Sequence, residues 1–542
     1  PGDQDLSSPV GTAHAGSRCA QNSRIARIYN ILAEILLMTI FSADALSTYP
    51  FPSRRMPILA RNVVATSQPL AAQAGLDMLR CGGNAVDAAL AAAIALTVVE
   101  PTGNGIGSDA FALIWDGRKL HGLNGSGRSP SRWSPQWFAG HEVMPERGWD
   151  TVTVPGAVNA WATLSKRFGK LPFEQLFAPA ILYASRGFIV TPSVGAIWSE
   201  AKTLLGDFAE FAKIFLPGGG SPATGELFTC PWQAETLRKI AATSGETLYR
   251  GELAHKIVAQ STAEGGALGI EDLARHTSEW VTPLSQEYHG ITLHEIPPNG
   301  QGLAALMALG ILRHLDIRQY PMDSADSIHL QIEAMKISFT ETWRCIADPV
   351  SMTVDPQDLL SDSFLSRNAE TIRMDRARLS PADYRTDGAT VYLSTSDESG
   401  KMVSFIQSNY LGFGSGIVIK DTGISLQNRG RGFTLAAGHP NRIAGNKRPC
   451  HTIIPGFITR KGKPLVSFGV MCALMQPQGH VQLVVRMIDY GLNPQAACDA
   501  PRWYVAEDFR IALEPNLQKK VVADLAGRGH RLMPDPPTRL FG

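Results

Sequence analysis

The chain has 542 residues, long for one hydrophobic core, and 44% of them are hydrophobic against 18% charged, the balance of a well-buried globular protein rather than a disordered one. Its 50 Lys and Arg offset 49 Asp and Glu to a net charge of +1 with no long basic run, which argues against a nucleic-acid binder or a polybasic membrane anchor. Seven scattered cysteines form no C-x-x-C pair, so neither a disulfide framework nor a zinc knuckle is indicated and buried free thiols are expected.

Residues 1–50 read as an N-terminal extension. Within it IYNILAEILLMTIFSADA, residues 28–45, has the basic flank, apolar run and small-residue site of a signal peptide, but Glu34 interrupts the run and a polar leader precedes it. The expected start is therefore Met38, with upstream sequence before it. The expected compartment is the cytoplasm, the periplasm being the alternative if residues 24–46 act as a signal peptide.

From Gln68 to Leu79 apolar residues fall at helical spacing, closed by Gly82-Gly83, and Asn84 is a good N-cap for an Ala-rich helix to about Val99. That helix is too short to span a bilayer and is expected in the core. The glycines of Pro101–Ser108 miss the dinucleotide-binding spacing and follow a helix, so the segment predicts a tight turn before a strand at Ala110–Trp115. Arg128 stands among turn residues; it is either a solvated loop arginine or a fixed cation for a substrate carboxylate.

From Pro155 to about Arg344 the pattern is mostly helical, and Ser324–Trp343 predicts one long amphipathic helix. Met352–Thr390 is polar and irregular, in the manner of an exposed connector. Alternation over Val391–Ser396 and Met402–Ser408, around Glu398-Ser399-Gly400-Lys401, predicts a hairpin. Because it opens on Gly388-Ala389-Thr390, Thr390 is either an ordinary strand threonine or a hydroxyl placed to attack the peptide bond before it. A strand running into a Gly/Arg loop at Gly423–Phe433, a strand after Lys447–Pro455, another at Lys463–Met471 and a helix from Gln482 to Ile488 follow. Helices early and strands late predict an α+β layered protein. No H-E-x-x-H, Walker loop, EF-hand loop or G-x-S-x-G elbow occurs, and the 13 histidines lack metal-ligand spacing, so no metal site is expected.

The stretches VATSQPLAAQAGLDMLRCGGNAVDAA, VTVPGAV, LYRGELAHKIV, GGALGIEDLARH, IPPNGQG, TVYLSTSDESGKMVSFIQSNYLGFGSG, NKRPCHTIIP and IDYGLNPQAACDAPRW come in an order that resembles the γ-glutamyltransferase family of N-terminal-nucleophile (Ntn) hydrolases. The likeness runs from Phe51 to about Pro537 and is nearest to the branch of γ-glutamyltransferase-like proteins and cephalosporin (glutaryl) acylases. It implies an αββα Ntn-hydrolase sandwich, two antiparallel sheets between helical layers. It also implies a precursor cut between Ala389 and Thr390 into a large segment, 51–389, and a small segment, 390–542, that together make one compact fold, with further sandwich strands beyond the sequence given.

By the same resemblance Thr390 is the nucleophile, Ser408 its hydrogen-bonding hydroxyl, and the backbone N–H groups of Cys472 and Ala473 the oxyanion donors, in place of a Gly-Gly pair. Arg128, Tyr410, Arg429, His451 and Thr452 take the substrate-binding positions. Gly432 stands where true γ-glutamyl transferases carry the aspartate for the glutamyl ammonium. No cofactor is implied, and the partners are a small-molecule amide substrate and the chain's own two segments, with no nucleic acid and no membrane. The implied activity is that of an autoprocessing amidohydrolase acting through an acyl-threonine on an acyl group with a distal carboxylate, of the glutaryl-7-aminocephalosporanic acid type. The alternatives are a γ-glutamyltransferase or glutathione hydrolase and, in another class, an inactive homologue serving as a binding protein.

Overall fold

The computed structural model describes residues 55–379 and 388–541, so the N-terminal extension and the signal-like stretch lie outside the described residues. The elements that build the site are β1 (Val63–Thr66), α1 (Pro69–Arg80), α2 (Ala85–Val99), β2 (Asp109–Trp115), β3 (Leu120–Gly125), α3 (Ala157–Phe168), β4 (Glu279–Val281), β5 (Leu284–Tyr288), β6 (Ile291–Glu295), α4 (Gly302–Leu312), α5 (Ala325–Cys345), β7 (Ala389–Ser396), β8 (Met402–Tyr410), β9 (Gly456–Arg460), β10 (Lys463–Phe468) and α6 (Met475–Ile488). The unit that carries them comprises Leu59–Val485 and Pro501–Gly542. A second, small unit is built on Arg486–Ala500, whose helix Pro494–Asp499 is capped by the Asn493 side chain.

Two antiparallel sheets stand at the centre: six strands in the order β1-β7-β8-β2-β3-β4, and four in the order β10-β9-β6-β5. Alternation decides what each face meets. From β2, Ala110, Ala112 and Ile114 join Val391, Leu393, Val403 and Phe405 against α2 and α3 in the largest apolar cluster. The intervening Phe111, Leu113 and Trp115, with Ile406, pack on Ile296, Ile453 and Phe457 of the second sheet and its flanks. On the far side of that sheet α4 lies over β5 and β6, and α5 over α4. The layers are therefore helix, sheet, sheet, helix: an α+β sandwich.

Helix α2 is buried along its whole length, as a sequence with no charge but Asp87 predicts. The Asn84 side chain accepts from the Val86 and Asp87 amides, and the Asp87 carboxylate in turn accepts from the Asn84 amide at 2.8 Å, closing a capping box. Small alanine side chains let the sheet approach closely.

Three expectations are corrected. The stretch before Arg344 contributes β4, β5 and β6, whose LSQEY and ITLHE segments are too short and too polar on one face to stand out among helices. The connector is half folded: helices Pro356–Leu359 and Asp362–Glu370 bury Leu359, Leu365 and Ala369, with Leu365 seated on Gly310 of α4. Helix α6 starts at Met475, about two turns before Gln482; its first turns carry Gln476-Pro477-Gln478-Gly479, which have too little apolar periodicity to read as helix. Residues 380–387 lie outside the described part. All six described cysteines are free thiols, as expected, but only Cys230 and Cys345 are buried, and Cys81 and Cys498 are exposed.

Candidate active site

Strands β7 and β8 pair regularly from Met402↔Ser396 to Gln407↔Val391, and then Tyr410 pairs with Ala389. Two residues, Ser408 and Asn409, thus stand opposite Thr390 alone. Such a bulge bends the strand and re-aims a side chain, and Tyr410 absorbs the bend with φ of 77°.

The result is a hydroxyl placed at the Ala389–Thr390 peptide bond. Ser408 Oγ donates to the Ala389 carbonyl oxygen at 2.7 Å. It accepts from the Tyr410 amide at 2.8 Å, from Arg429 Nη2 at 3.2 Å and from the Thr390 hydroxyl at 3.3 Å. Three donors crowd an oxygen with two lone pairs, so the longest bond, to Thr390, is the weakest. Both hydroxyl residues are buried. One serine therefore touches the nucleophile and the carbonyl it would attack.

Arg429 is fully buried in the 3-10 turn Arg429–Gly432. Its Nη1 donates to Thr452 Oγ1 at 2.7 Å, its guanidinium lies 4.3 Å from the Tyr410 ring centroid, and its Nε has no hydrogen-bond partner. Among the described residues no carboxylate stands within ion-pair distance of it. Burial pulls its pKa down to about 10, so it is charged at neutral pH. A buried cation held by hydroxyls and a ring, with a spare N–H, is built to receive an anion.

The oxyanion positions carry backbone strain. Cys472 has φ of 74° and Ala473 φ of 31°, the left-handed region that a Gly-Gly pair enters freely and side-chain-bearing residues rarely adopt. The strain is held by neighbours: Met475 N donates to the Cys472 carbonyl at 2.7 Å, and Gln301 Nε2 donates to the Ala473 carbonyl at 2.9 Å and to the Thr452 carbonyl at 2.5 Å. The pair sits just ahead of α6 and against the residue before Ala389. A Cβ placed on Gly388 would lie 3.0 Å from Ala473 Cβ and 3.5 Å from its nitrogen. The Cys472 sulfur lies 3.0 Å from the Arg539 carbonyl oxygen and 3.4 Å from that of Gly388, with one proton to give to either.

Hydrogen bonds thus link Ala389, Thr390, Ser408, Tyr410, Arg429 and Thr452 into one network. His451 faces away from it, its Nε2 3.2 Å from Asp109 Oδ2 and its ring edge-on to Phe111. Arg128 belongs to another set: it pairs with Asp348 at 2.7 Å and Glu279 at 3.5 Å and donates to the Asn446 carbonyl. Of the two arginines read as carboxylate binders, Arg429 is the one bonded beside the nucleophile. Gly432 is clear of any charge role and backs onto the Cys450 carbonyl.

Three contributors escaped the sequence reading. Asp109 is fully buried and faces Ser408 across the β8–β2 ladder; its Oδ1 accepts from the Gly127 and Gly156 amides at 3.1 Å each. Burial raises its pKa to about 7, against the pull of Arg429 and those amides, while burial and the charges of Arg429 and Arg448 hold His451 well below the ordinary histidine range. Gln301, in the IPPNGQG stretch, ties two walls of the site together. The Pro101–Ser108 loop is a turn, as predicted, but it also packs on the nucleophile: a Cβ on Gly103 would lie 3.3 Å from the Thr390 carbonyl oxygen, and one on Gly107 only 2.3 Å from the Ser425 carbonyl oxygen. Its glycines serve close approach, a signal that spacing rules for phosphate loops do not test.

A histidine pair and a carboxylate, His329, His530 and Glu333, also cluster in the interior. His530 Nε2 and His329 Nδ1 are hydrogen-bonded at 2.8 Å, and the Lys336 ammonium already sits on Glu333 at 2.8 Å and on His530 Nδ1 at 3.3 Å. The charge a metal would bring is supplied by that lysine, which disfavours an ion there.

Residues 71–540 match the gamma-glutamyltranspeptidase family. The chain is 35% identical over 479 residues to the glutathione hydrolase-like YwrD proenzyme of Bacillus subtilis, covering 87% of this chain and 91% of that protein. It is 34% identical over 476 residues to the oxamate amidohydrolase proenzyme of Klebsiella pneumoniae, covering 85% and 89%. Among solved structures it is similar to a cephalosporin acylase from Bacillus halodurans, with a TM-score of 0.87 and 48% identity over 91% of this chain and 93% of that one.

Proposed function

Since the chain belongs to the gamma-glutamyltranspeptidase family and is a hydrolase or acyltransferase of amide bonds, we propose that it cuts itself between Ala389 and Thr390 and then hydrolyses amides whose acyl group carries its own carboxylate. The carrying observation is Ser408 Oγ, bonded at once to Thr390 Oγ and to the Ala389 carbonyl oxygen.

In the precursor Ser408 takes the Thr390 hydroxyl proton as its own proton passes to the Ala389 oxygen, and Thr390 Oγ closes on the carbonyl carbon. The tyrosine amide and Arg429 on the Ser408 oxygen strengthen it as a donor toward that carbonyl. Collapse breaks the C–N bond, with the proton returned to nitrogen, and leaves an ester on Thr390 Oγ. Water hydrolyses the ester, freeing the Ala389 carboxylate and the Thr390 α-amine. With a pKa near ~8, that amine serves as the base for its own hydroxyl in later turnovers. Loss of Gly388 and Ala389 from beside Ala473 and Tyr410 opens the space for substrate, and the acyl-threonine then passes to water or to an acceptor amine.

The substrate reading rests on Arg429. A carboxylate satisfies its free Nε–H, whereas a γ-glutamyl ammonium would meet a buried guanidinium that has no carboxylate within ion-pair distance among the described residues, which disfavours γ-glutamyl peptides. Glutaryl-7-aminocephalosporanic acid and oxamate both fall in the carboxylated class.

Two measurements test the proposal. On a denaturing gel the purified protein should give two bands, the smaller starting TVYLSTSD by N-terminal sequencing; a single intact band after long incubation overturns self-cleavage. The processed enzyme should hydrolyse carboxyacyl anilides in preference to the γ-glutamyl anilide. Comparable rates on the two count against the carboxylate reading.

A further inference from the structure

Resting on the reading of Thr390 as nucleophile and of the Cys472 and Ala473 amides as its oxyanion donors, we infer that Gln301 is a positioning residue for turnover. Its side-chain amide holds the Ala473 N–H on its aim and ties that wall of the site to the wall that carries Arg429. Gln301 is the buried N-cap residue of α4, its own amide bonded to the His451 carbonyl at 3.0 Å and its carbonyl to the Ala304 amide at 3.0 Å. Its Nε2 lies 2.9 Å from the Ala473 carbonyl oxygen and 2.5 Å from that of Thr452. Both partners are carbonyls, so the nitrogen end of the amide has to face them, and each of its two protons has an acceptor.

In a trans peptide the C=O and the N–H point opposite ways. The plane before Ala473 carries the Cys472 carbonyl and the Ala473 N–H; Met475 N holds that carbonyl at 2.7 Å, which turns the N–H away from the start of α6. The plane after Ala473 carries its carbonyl, held by Gln301 and, at 3.3 Å, by Gln476 N. An alanine at φ of 31° leaves the left-handed region by rotating one of these two planes. With both carbonyls tied it stays, and its nitrogen stays where a Cβ on Gly388 would lie 3.5 Å from it, one residue from Ala389. The ties from Met475 and Gln476 are local to the helix start, but the Gln301 tie crosses 172 residues of chain. A Gly-Gly pair enters the left-handed region freely and has no need of it.

The second proton of the same amide goes to the Thr452 carbonyl, and Thr452 Oγ1 accepts from Arg429 Nη1 at 2.7 Å. One side chain thus joins the cation and the oxyanion donor, the two places at which an acyl group is gripped. Their relative placement is what holds a bound acyl carbonyl in line for attack.

The test uses Gln301→Met, which keeps the bulk and removes the donor, and Gln301→Glu, both assayed with a carboxyacyl p-nitroanilide such as the glutaryl compound. Self-cleavage should run near the wild-type rate in both, because Ser408 supplies the donor to the Ala389 carbonyl. In the processed enzymes kcat should fall by about tenfold to a hundredfold while KM moves by less than about threefold, since the oxyanion forms only on attack. In Gln301→Glu the loss should ease on acidification: burial against two carbonyls favours the neutral carboxyl, whose O–H restores one donor, so kcat relative to wild type rises as pH falls. An unchanged kcat in Gln301→Met, a rise in KM that accounts for the whole loss, or a Gln301→Glu ratio that is flat from about pH 8 to pH 5 overturns the positioning role and leaves the nucleophile reading standing. Failure of both variants to cut themselves assigns Gln301 to support of the fold and overturns it as well. A wild type that neither cuts itself nor hydrolyses the anilide overturns both.

Discussion

Replacing Thr390 by alanine should leave one uncut chain with no amidase activity, because the attacking oxygen is gone. Ser408→Ala separates the roles: the nucleophile stays, but the donor on the Ala389 carbonyl is lost, and processing should slow by about a hundredfold to a thousandfold. A time course of band conversion reads this directly, and conversion at the wild-type rate would show that Ser408 is a bystander. Cys472 and Ala473 present the opposite case, a pair kept in strained backbone at a cost of roughly 1–3 kcal/mol each. Ala473→Gly keeps the amide donor and removes the penalty, so the melting temperature should rise by the equivalent of about 1 kcal/mol, offset in part by chain entropy. An unchanged or lower melting temperature would mean that the site accommodates the left-handed alanine at no cost.

At the scale of elements, the site depends on how a loop and a strand start press on the β7–β8 hairpin. Gly107→Ala would drive a methyl to 2.3 Å from the Ser425 carbonyl oxygen and should cost about 1–3 kcal/mol or more, while Gly140→Ala, with open space around it, should be near neutral. Paired thermal melts check this, and equal melting temperatures would sink the close-packing account. The first residue of β2 brings a pH dependence. Asp109 titrates at about 7 in the fold against an ordinary 3.8, so its favourable contribution is complete below 3.8 and is lost as pH rises through about 7. His451 acts with the opposite sign: its depressed pKa gives stability that is present above the ordinary 6.5 and lost as pH falls. Asp109→Asn removes the first and keeps the second. Between about pH 4 and pH 8 the wild type should therefore lose up to a few kcal/mol relative to that variant as pH rises; a constant difference would show that Asp109 is already ionised throughout.

For the whole molecule, the consequence of the topology is that a cut at Ala389 need not release anything. Strands β7 and β8, downstream of the cut or at it, lie between β1 and β2 from upstream, with α2 across their face and β9 and β10 beneath. The two segments should co-elute on native size exclusion and part only in denaturant, and early separation under native conditions would contradict the interleaved sheet. The same topology explains why three quiet features of the sequence, a turn, an aspartate and a glutamine, converge on one peptide bond.

The sequence by itself determined the local features. Capping at Asn84, the Ala-rich α2, the β7–β8 alternation and the amphipathic α5 follow from side-chain chemistry within a turn or two of the chain, and ordered motifs pointed to Thr390, Ser408 and Arg429. Tertiary structure alone decided what those residues touch. The bulge that turns Ser408 toward Ala389 is a register shift between strands, invisible in either strand separately. Asp109, Gln301 and Gly103 reach the site across sequence separations of a hundred residues or more, and nothing local marks them. Arg128 and Arg429 are chemically alike on paper; the fold engages one with carboxylates and leaves the other buried with a spare N–H beside the nucleophile. Charge and hydrogen-bonding capacity are properties of a residue, but their availability depends on which partners the fold has already supplied.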